Sequence, residues 1–349
     1  MTGQAAGAGH RLWSLWRRWR LRHRRRYLIL RGLRRSRALQ VVRDRTGQIG
    51  ADDVLLFAAM RNERERLPSF LAHYRALGVK HFLLVDNAST DGGPELLLDQ
   101  PDVSLWHAGG SYKRARFGMD WVNGLLCRHG AGHWCLTVDL DELLIYPYWE
   151  SRPLPALTGW LEMQGMESFG AMMLDLYPRG RLDLGGDTAW TDPLAHLQWF
   201  DSGNHVMRLQ PELGNLWIQG GVRARRFFAD DPRRAPTLGK VPLVRWSRRH
   251  AYVSSTHTLL PPRLNRATRD EEGGECISGI LLHTKFLPSI PERSREERHR
   301  AEHFDNSQLY SAYYEELAQA PTLWSARSRR YMGWRQLEAM GLMSRGGWI

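Results

Sequence analysis

Four short apolar runs, VLLFAAM from Val54, FLLV from Phe82, VSLW from Val103 and WCLTV from Trp134, alternate with segments in which apolar residues recur every three or four positions. Short apolar runs bounded by polar residues are the pattern of strands buried on both faces, and the interleaved period is that of amphipathic helices. Leu67, Phe70, Leu71, Tyr74 and Leu77 mark one helix over 64–77, with Pro68 in its first turns and Gly78 beyond its end. A second helix is predicted over 113–128. The order β-α-β-α-β-α-β with short connections predicts an α/β fold, a parallel sheet with helices on both faces.

In such sheets ligands gather beyond the carboxyl ends of the strands. Three of these ends carry polar clusters: Asn62 with Glu63, Asp86 and Asn87 through Asp91, and Asp139 with Asp141. Helix capping or an Asx turn accounts for each cluster singly, but less well for all three at equivalent positions. Asp139 and Asp141 stand at i and i+2 of an extended segment, so they project together while Leu140 turns away. Two such carboxylates suit a hard cation that takes oxygen ligands, Mn²⁺ or Mg²⁺. No G-x-G-x-x-G follows the first strand and no G-x-x-x-x-G-K-S/T occurs. That argues against a dinucleotide enzyme and a P-loop NTPase.

The stretches RNERERLPSF, HFLLVDNASTDG, SYKRARFGMDW and WCLTVDLDELL, in this order, resemble the nucleotide-sugar half of a GT-A glycosyltransferase, family 2-like. They are most similar to the bacterial branch that carries RNE, DN-x-S-x-D and D-x-D-E. The likeness runs from residue 52 to about 345 through LWIQGGVRARRFF, KVPLVRW, SSTHTLLP and LLHTKFL. It implies a Rossmann-like, mostly parallel sheet and an inverting transfer from a nucleotide-diphosphate sugar to a glycan or lipid-linked acceptor. By it, Asn62 and Glu63 would meet the nucleotide, Asp86 the base, and Asp139 and Asp141 the ribose and metal. Arg116 would lie near the diphosphate, His283 would close the metal shell, and Lys285 would meet the departing phosphate. Many relatives carry D-D-G-S-x-D where this chain has DNASTDG, so Asn87 replaces an acid and the nucleotide's identity stays open.

Beyond Tyr146 the pattern turns to a mixed acceptor-side region. A helix is expected over 157–163, and AMMLDLY over 171–177 reads as a strand with Asp175 inside it. A carboxylate there is costly unless paired or used, and inverting transfer needs a base near the acceptor hydroxyl. Asp175 and Asp201 are the candidates, with pairing of Asp175 to Arg179 or Arg181 as the competing account. Residues 178–205 read as a long loop whose Trp190, Trp199 and Phe200 either stack on sugars or fasten the loop down. LLHTKFL reads as a strand with His283 and Lys285 on one side. Helices over 294–318 and 324–342 are expected to cap the sheet. The organisation is thus an arm (1–47), a catalytic domain (48–290, dividing near 146) and a helical cap (291–349).

The formal charge of +12 belongs to the arm. Residues 1–46 hold fourteen of the 49 Lys and Arg and a single acid, Asp44, so the body is near neutral and nucleic acid is disfavoured as a partner. Within residues 12–37, Leu12, Leu15, Trp16, Trp19, His23, Tyr27, Leu30 and Leu33 fall on one helical stripe flanked by arginines. Such a helix suits the headgroup layer of an anionic membrane, with a disordered basic tail or a helix docked on its own domain as the alternatives. Three cysteines without C-x-x-C spacing and no apolar run long enough to span a bilayer fit a cytoplasmic protein, peripheral at the inner membrane face. The competing reading is a non-catalytic glycan- or partner-binding protein on the same fold.

Overall fold

A computed structural model describes residues 3–185, 192–266, 275–300 and 307–348. The arm is one long helix, α1 (Gly3–Ser36), followed by strand β1 (Gln40–Arg43). The α/β alternation then runs β2 (Val54–Met60), α2 (Leu67–Ala76), β3 (Val79–Asp86), α3 (Gly93–Leu98), β4 (Val103–His107), α4 (Met119–His129) and β5 (Trp134–Thr137). After β6 (Glu142–Ile145), α5 (Leu154–Met163) and β7 (Ser168–Asp175) come α6 (Pro193–His196), β8 (Trp199–Phe200), β9 (Val206–Leu209), β10 (Leu216–Gln219) and α7 (Gly221–Arg226). The chain closes with β11 (Gly239–Arg245), β12 (Ala251–Ser254), β13 (Thr258–Leu260), β14 (Ser278–His283), α8 (Ile290–Arg300), α9 (Ser307–Ala318), β15 (Arg329–Arg330) and α10 (Trp334–Ala339).

The main sheet has nine strands in the order β1-β4-β3-β2-β5-β11-β7-β14-β6. Strands β4, β3, β2 and β5 are mutually parallel, and β7 and β14 run the same way, while β1, β11 and β6 oppose them. The six parallel strands, β4, β3, β2, β5, β7 and β14, therefore end at one edge of the sheet. Leu55 to Phe57 and Phe82 to Val85 are fully buried, as strands covered on both faces require. Tyr74 and Phe70 of α2 pack on one face with Leu56 and Phe82, and Trp121 and Leu125 of α4 on the other with Phe57 and Leu83.

Several expected elements differ at their ends. The helix expected from 113 begins at Met119, because Arg116, Phe117 and Gly118 take positive φ and form a turn. The stretch 294–318, expected as one charged helix or two, holds two, α8 and α9. In the expected helix 324–342 only α10 is helical, starting after Gly333 at φ 106°. The strand carrying His283 stops there, so Lys285 lies beyond it. In the expected loop, Trp190 lies outside the described residues, Phe200 is buried, and Trp199 packs edge-on against Trp324 at 6.0 Å. Those two aromatics fasten the segment down. No helix among the described residues is long and apolar enough to cross a membrane.

Candidate functional site

Strand register assembles the floor of an open cleft of about 1550 Å³ at the shared strand edge. His283, the last residue of β14, is the register partner of Asp175 on β7 and of Glu142 on β6. Paired positions on neighbouring strands bring side chains together. Thr284, next in the chain, donates its backbone N–H (2.7 Å) and its hydroxyl (3.0 Å) to the Asp141 carbonyl, fixing the acidic turn against the end of β14.

The His283 imidazole lies between two carboxylates, with Nδ1 2.5 Å from Asp175 Oδ1 and Nε2 3.1 Å from Asp141 Oδ2. The other oxygen of Asp175 accepts from Arg223 Nε at 2.7 Å. A continuous row Arg223–Asp175–His283–Asp141 results. Burial would lower the imidazole's basicity, but Asp141 and Asp175 raise it above its ordinary value. Burial opposes ionisation of Asp141 too, yet His283, with Arg66 and Lys285 behind it, holds that carboxyl well below the usual range. Arg223 and His283 do the same for Asp175.

A second knot stands beside the first. Lys240 of β11, almost wholly buried, donates to Asp139 Oδ2 at 2.9 Å and to Glu142 Oε1. Burial pushes the Glu142 carboxyl up to about 7, against the pull of Lys240. Asp139 is the open member, its side chain 55% exposed. Lys240 thus sets one positive charge beside Asp139 and Glu142.

Glu63 borders the cleft with both oxygens engaged, by Arg66 at 2.6 Å and by Arg293 of α8 at 2.9 Å. Asn62, at φ 51°, accepts from the Thr90 backbone at 2.8 Å, and Asp91 accepts from the Arg64 and Gly93 backbones. These contacts clasp the ends of β2 and β3 together. Asp86 is buried beneath the lining, accepting from the Ser89 hydroxyl, with His107 Nδ1 3.4 Å away. Asn87 lines the cleft and donates to the Ala108 and Gly110 carbonyls. Lys285 lies at the mouth, 5.4 Å and 5.7 Å from the ring centres of Tyr313 and Tyr314.

The cleft therefore brings together Glu63, Asn87, Asp139, Asp141, His283 and Lys285. Other candidates stand elsewhere. Arg116 turns away to Asp120 and the Tyr252 and Val253 carbonyls, while Tyr112 and Phe117 of the same turn form the wall. Asp175 lies beneath the lining, paired with Arg223 and not with Arg179 or Arg181. Asp201 belongs to a separate groove, bound to Arg225 at 2.6 Å and to the Tyr177 hydroxyl.

Lys240, Arg66 and Arg293 are the residues of the candidate site that the sequence reading left out, while Arg223, read there with Arg225 and Arg226 as a basic patch for phosphate or a solvated face, instead pairs with Asp175. Lys240 had a signal, since a lysine within an apolar strand must be paired. Arg293 had none, because nothing local ties α8 to residue 63.

No protein-family model matches this chain, and no curated protein matches it. Among solved structures, one titled as a crystal structure of 4-diphosphocytidyl-2C-methyl-D-erythritol synthase aligns over 84% of this chain and 99% of its own, at 14% identity and a TM-score of 0.25.

Asp141, Glu142 and His283 each offer a donor atom within 4.8 Å of the others. Two carboxylate oxygens and one imidazole nitrogen make a set that Mn²⁺ or Mg²⁺ accepts. The Asp175 contact at Nδ1 is the outer support that metal-binding imidazoles ordinarily have. The residues present fit such an ion.

Proposed function

We propose that the chain is a glycosyltransferase that moves a sugar from a nucleotide-diphosphate sugar to a glycan or lipid-linked acceptor, with inversion and a divalent metal, at the face of an anionic membrane. The observation that carries this reading is the convergence of Asp139, Asp141, Glu142 and His283 in one cleft at the carboxyl edge of a mostly parallel sheet.

In inverting transfer the acceptor oxygen bonds the anomeric carbon as the bond to the diphosphate breaks, and the acceptor's proton passes to a general base at the cleft or to water. Negative charge grows on the departing diphosphate. Lys285 and Arg61, both at the cleft, are the cations we place there. Asp141, Glu142 and His283 would hold the Mn²⁺ or Mg²⁺, which when bound neutralises the diphosphate further. Asp139, the exposed carboxylate, is assigned to donor hydroxyls and Glu63 with Asn87 to the nucleotide, on the side nearest β2 and β3. We assign Asp175 to the positioning of His283, because it lies beneath the cleft lining and contacts Nδ1 of that imidazole.

Calorimetry with UDP and GDP, each with and without Mn²⁺, tests the reading. Metal-dependent binding of one nucleotide is expected, with loss in Asp141→Ala. Absence of nucleotide binding under every condition would leave the non-catalytic alternative.

A further inference from the structure

The exposed surface of α1 is the reverse of what a helix docked on its own domain needs. Leu21 and Leu28 are buried against Ala251, Val253 and Leu260, and Gly32 and Ser36 press on α4. A helix that seats one face can turn its polar residues outward. Here Leu15, Trp16, Trp19, Tyr27 and Leu30, at steps of one, three, eight and three residues, lie on the opposite face and are 52–66% exposed. So large an exposed apolar stripe marks an interaction surface.

Beside the stripe is a basic hollow of about 720 Å³ walled by Arg22, Arg25, Arg26 and Ile29 of α1 and by Arg248 and Arg249 from the turn after β11. Arg22 and Arg26 border the stripe, three and seven residues after Trp19. No carboxylate pairs with any of these five arginines among the described residues. The crowding is felt, since burial and then Arg22, Arg249, Arg26 and Arg263 lower the Arg25 guanidinium's affinity for its proton. Five uncompensated like charges gathered from two distant segments are stable in company with anions.

We propose that the outer face of α1 and the 248–249 turn form one membrane-docking surface. The five arginines take the phosphates of anionic lipid headgroups, and Trp16, Trp19, Tyr27 and Leu30 enter the interfacial layer. The proposal rests on the peripheral placement given above and adds a part of the folded body to it. Nothing in the cleft enters it.

The test is co-sedimentation of the full chain with vesicles of phosphatidylcholine alone or with one third phosphatidylglycerol. Binding to the anionic vesicles only, weakening with salt, is expected. Arg248→Ala with Arg249→Ala should weaken it on the order of 30-fold, while Lys at both positions should retain most of it. Trp16→Ser with Trp19→Ser should also weaken it, and circular dichroism should show each variant folded. If the Arg248/Arg249 variant binds like the parent while the tryptophan variant does not, the arm alone docks and the composite surface is wrong. Equal binding to neutral vesicles, or none to either, overturns both the composite surface and the peripheral placement. Release of the protein from vesicles by millimolar pyrophosphate or by an RNA oligomer would assign the hollow to soluble polyanions and overturn the lipid proposal.

Discussion

Lys240 sits where an ammonium without a carboxylate partner would be prohibitive, and its two partners are close enough to each other to repel without it. Replacing it by Met leaves the Glu142 carboxylate buried and unpaired. Removal of one member of a buried ion pair costs about 3–5 kcal/mol. Lys240→Met is therefore expected to lower the urea midpoint by that equivalent, and Lys240→Met with Glu142→Gln to regain part of the loss. Asp175→Asn is a different case. It keeps the shape but weakens the hold on His283 and Arg223, and loss of such outer support lowers metal affinity by about 10–100-fold. Calorimetry should show that drop in Mn²⁺ affinity with the urea midpoint less affected than in Lys240→Met. Asp139 and Asp141 could be picked out from sequence because spacing and strand-end position mark them, and His283 only through the family resemblance. Their partners could not: Lys240 lies 98 residues from Glu142 and Arg223 lies 48 from Asp175, and only the sheet order and the seating of α7 against β7 make them neighbours.

At the scale of elements, the helix pair α1 and α4 depends on small residues at its crossing. A Cβ on Gly124 would run into the Ser36 side chain and the Gly32 carbonyl. Gly124→Val should push the two helices apart at a cost of about 1–3 kcal/mol, read as a lower urea midpoint and as faster tryptic cutting within residues 17–37 than in the parent. The alternation of strands and helices over 54–138 was legible because burial on both faces forces apolar runs. The turn at 112–118 was not, since residues at positive φ leave no periodic mark. Nor was β1, whose four residues are exposed and take their order from pairing with β4.

Over the whole molecule, acid sensitivity follows from imidazoles that the fold keeps neutral. Burial lowers His73 to about 4, with the Leu144 carbonyl opposing, and burial with Arg263 and Arg25 nearby lowers His250 to about 4. The unfolded chain takes up these protons near 6.5 and the folded chain does not until about 4. Their stabilisation is therefore present above pH 6.5 and lost as the pH falls toward 4, by about 3 kcal/mol each. Urea midpoints should be lower at pH 5 than at pH 7.5, and His250→Gln should shrink the difference. The clamp between α1 and the body has one more effect. Arg31 joins Asp120 at 2.7 Å and the Arg114 carbonyl at 2.8 Å, so the helix grips the very turn whose Tyr112 and Phe117 wall the cleft. Whatever surface the helix leans on, the cleft mouth stands at a set height and tilt above it, and reach is governed by this bracket and not by the length of a tether.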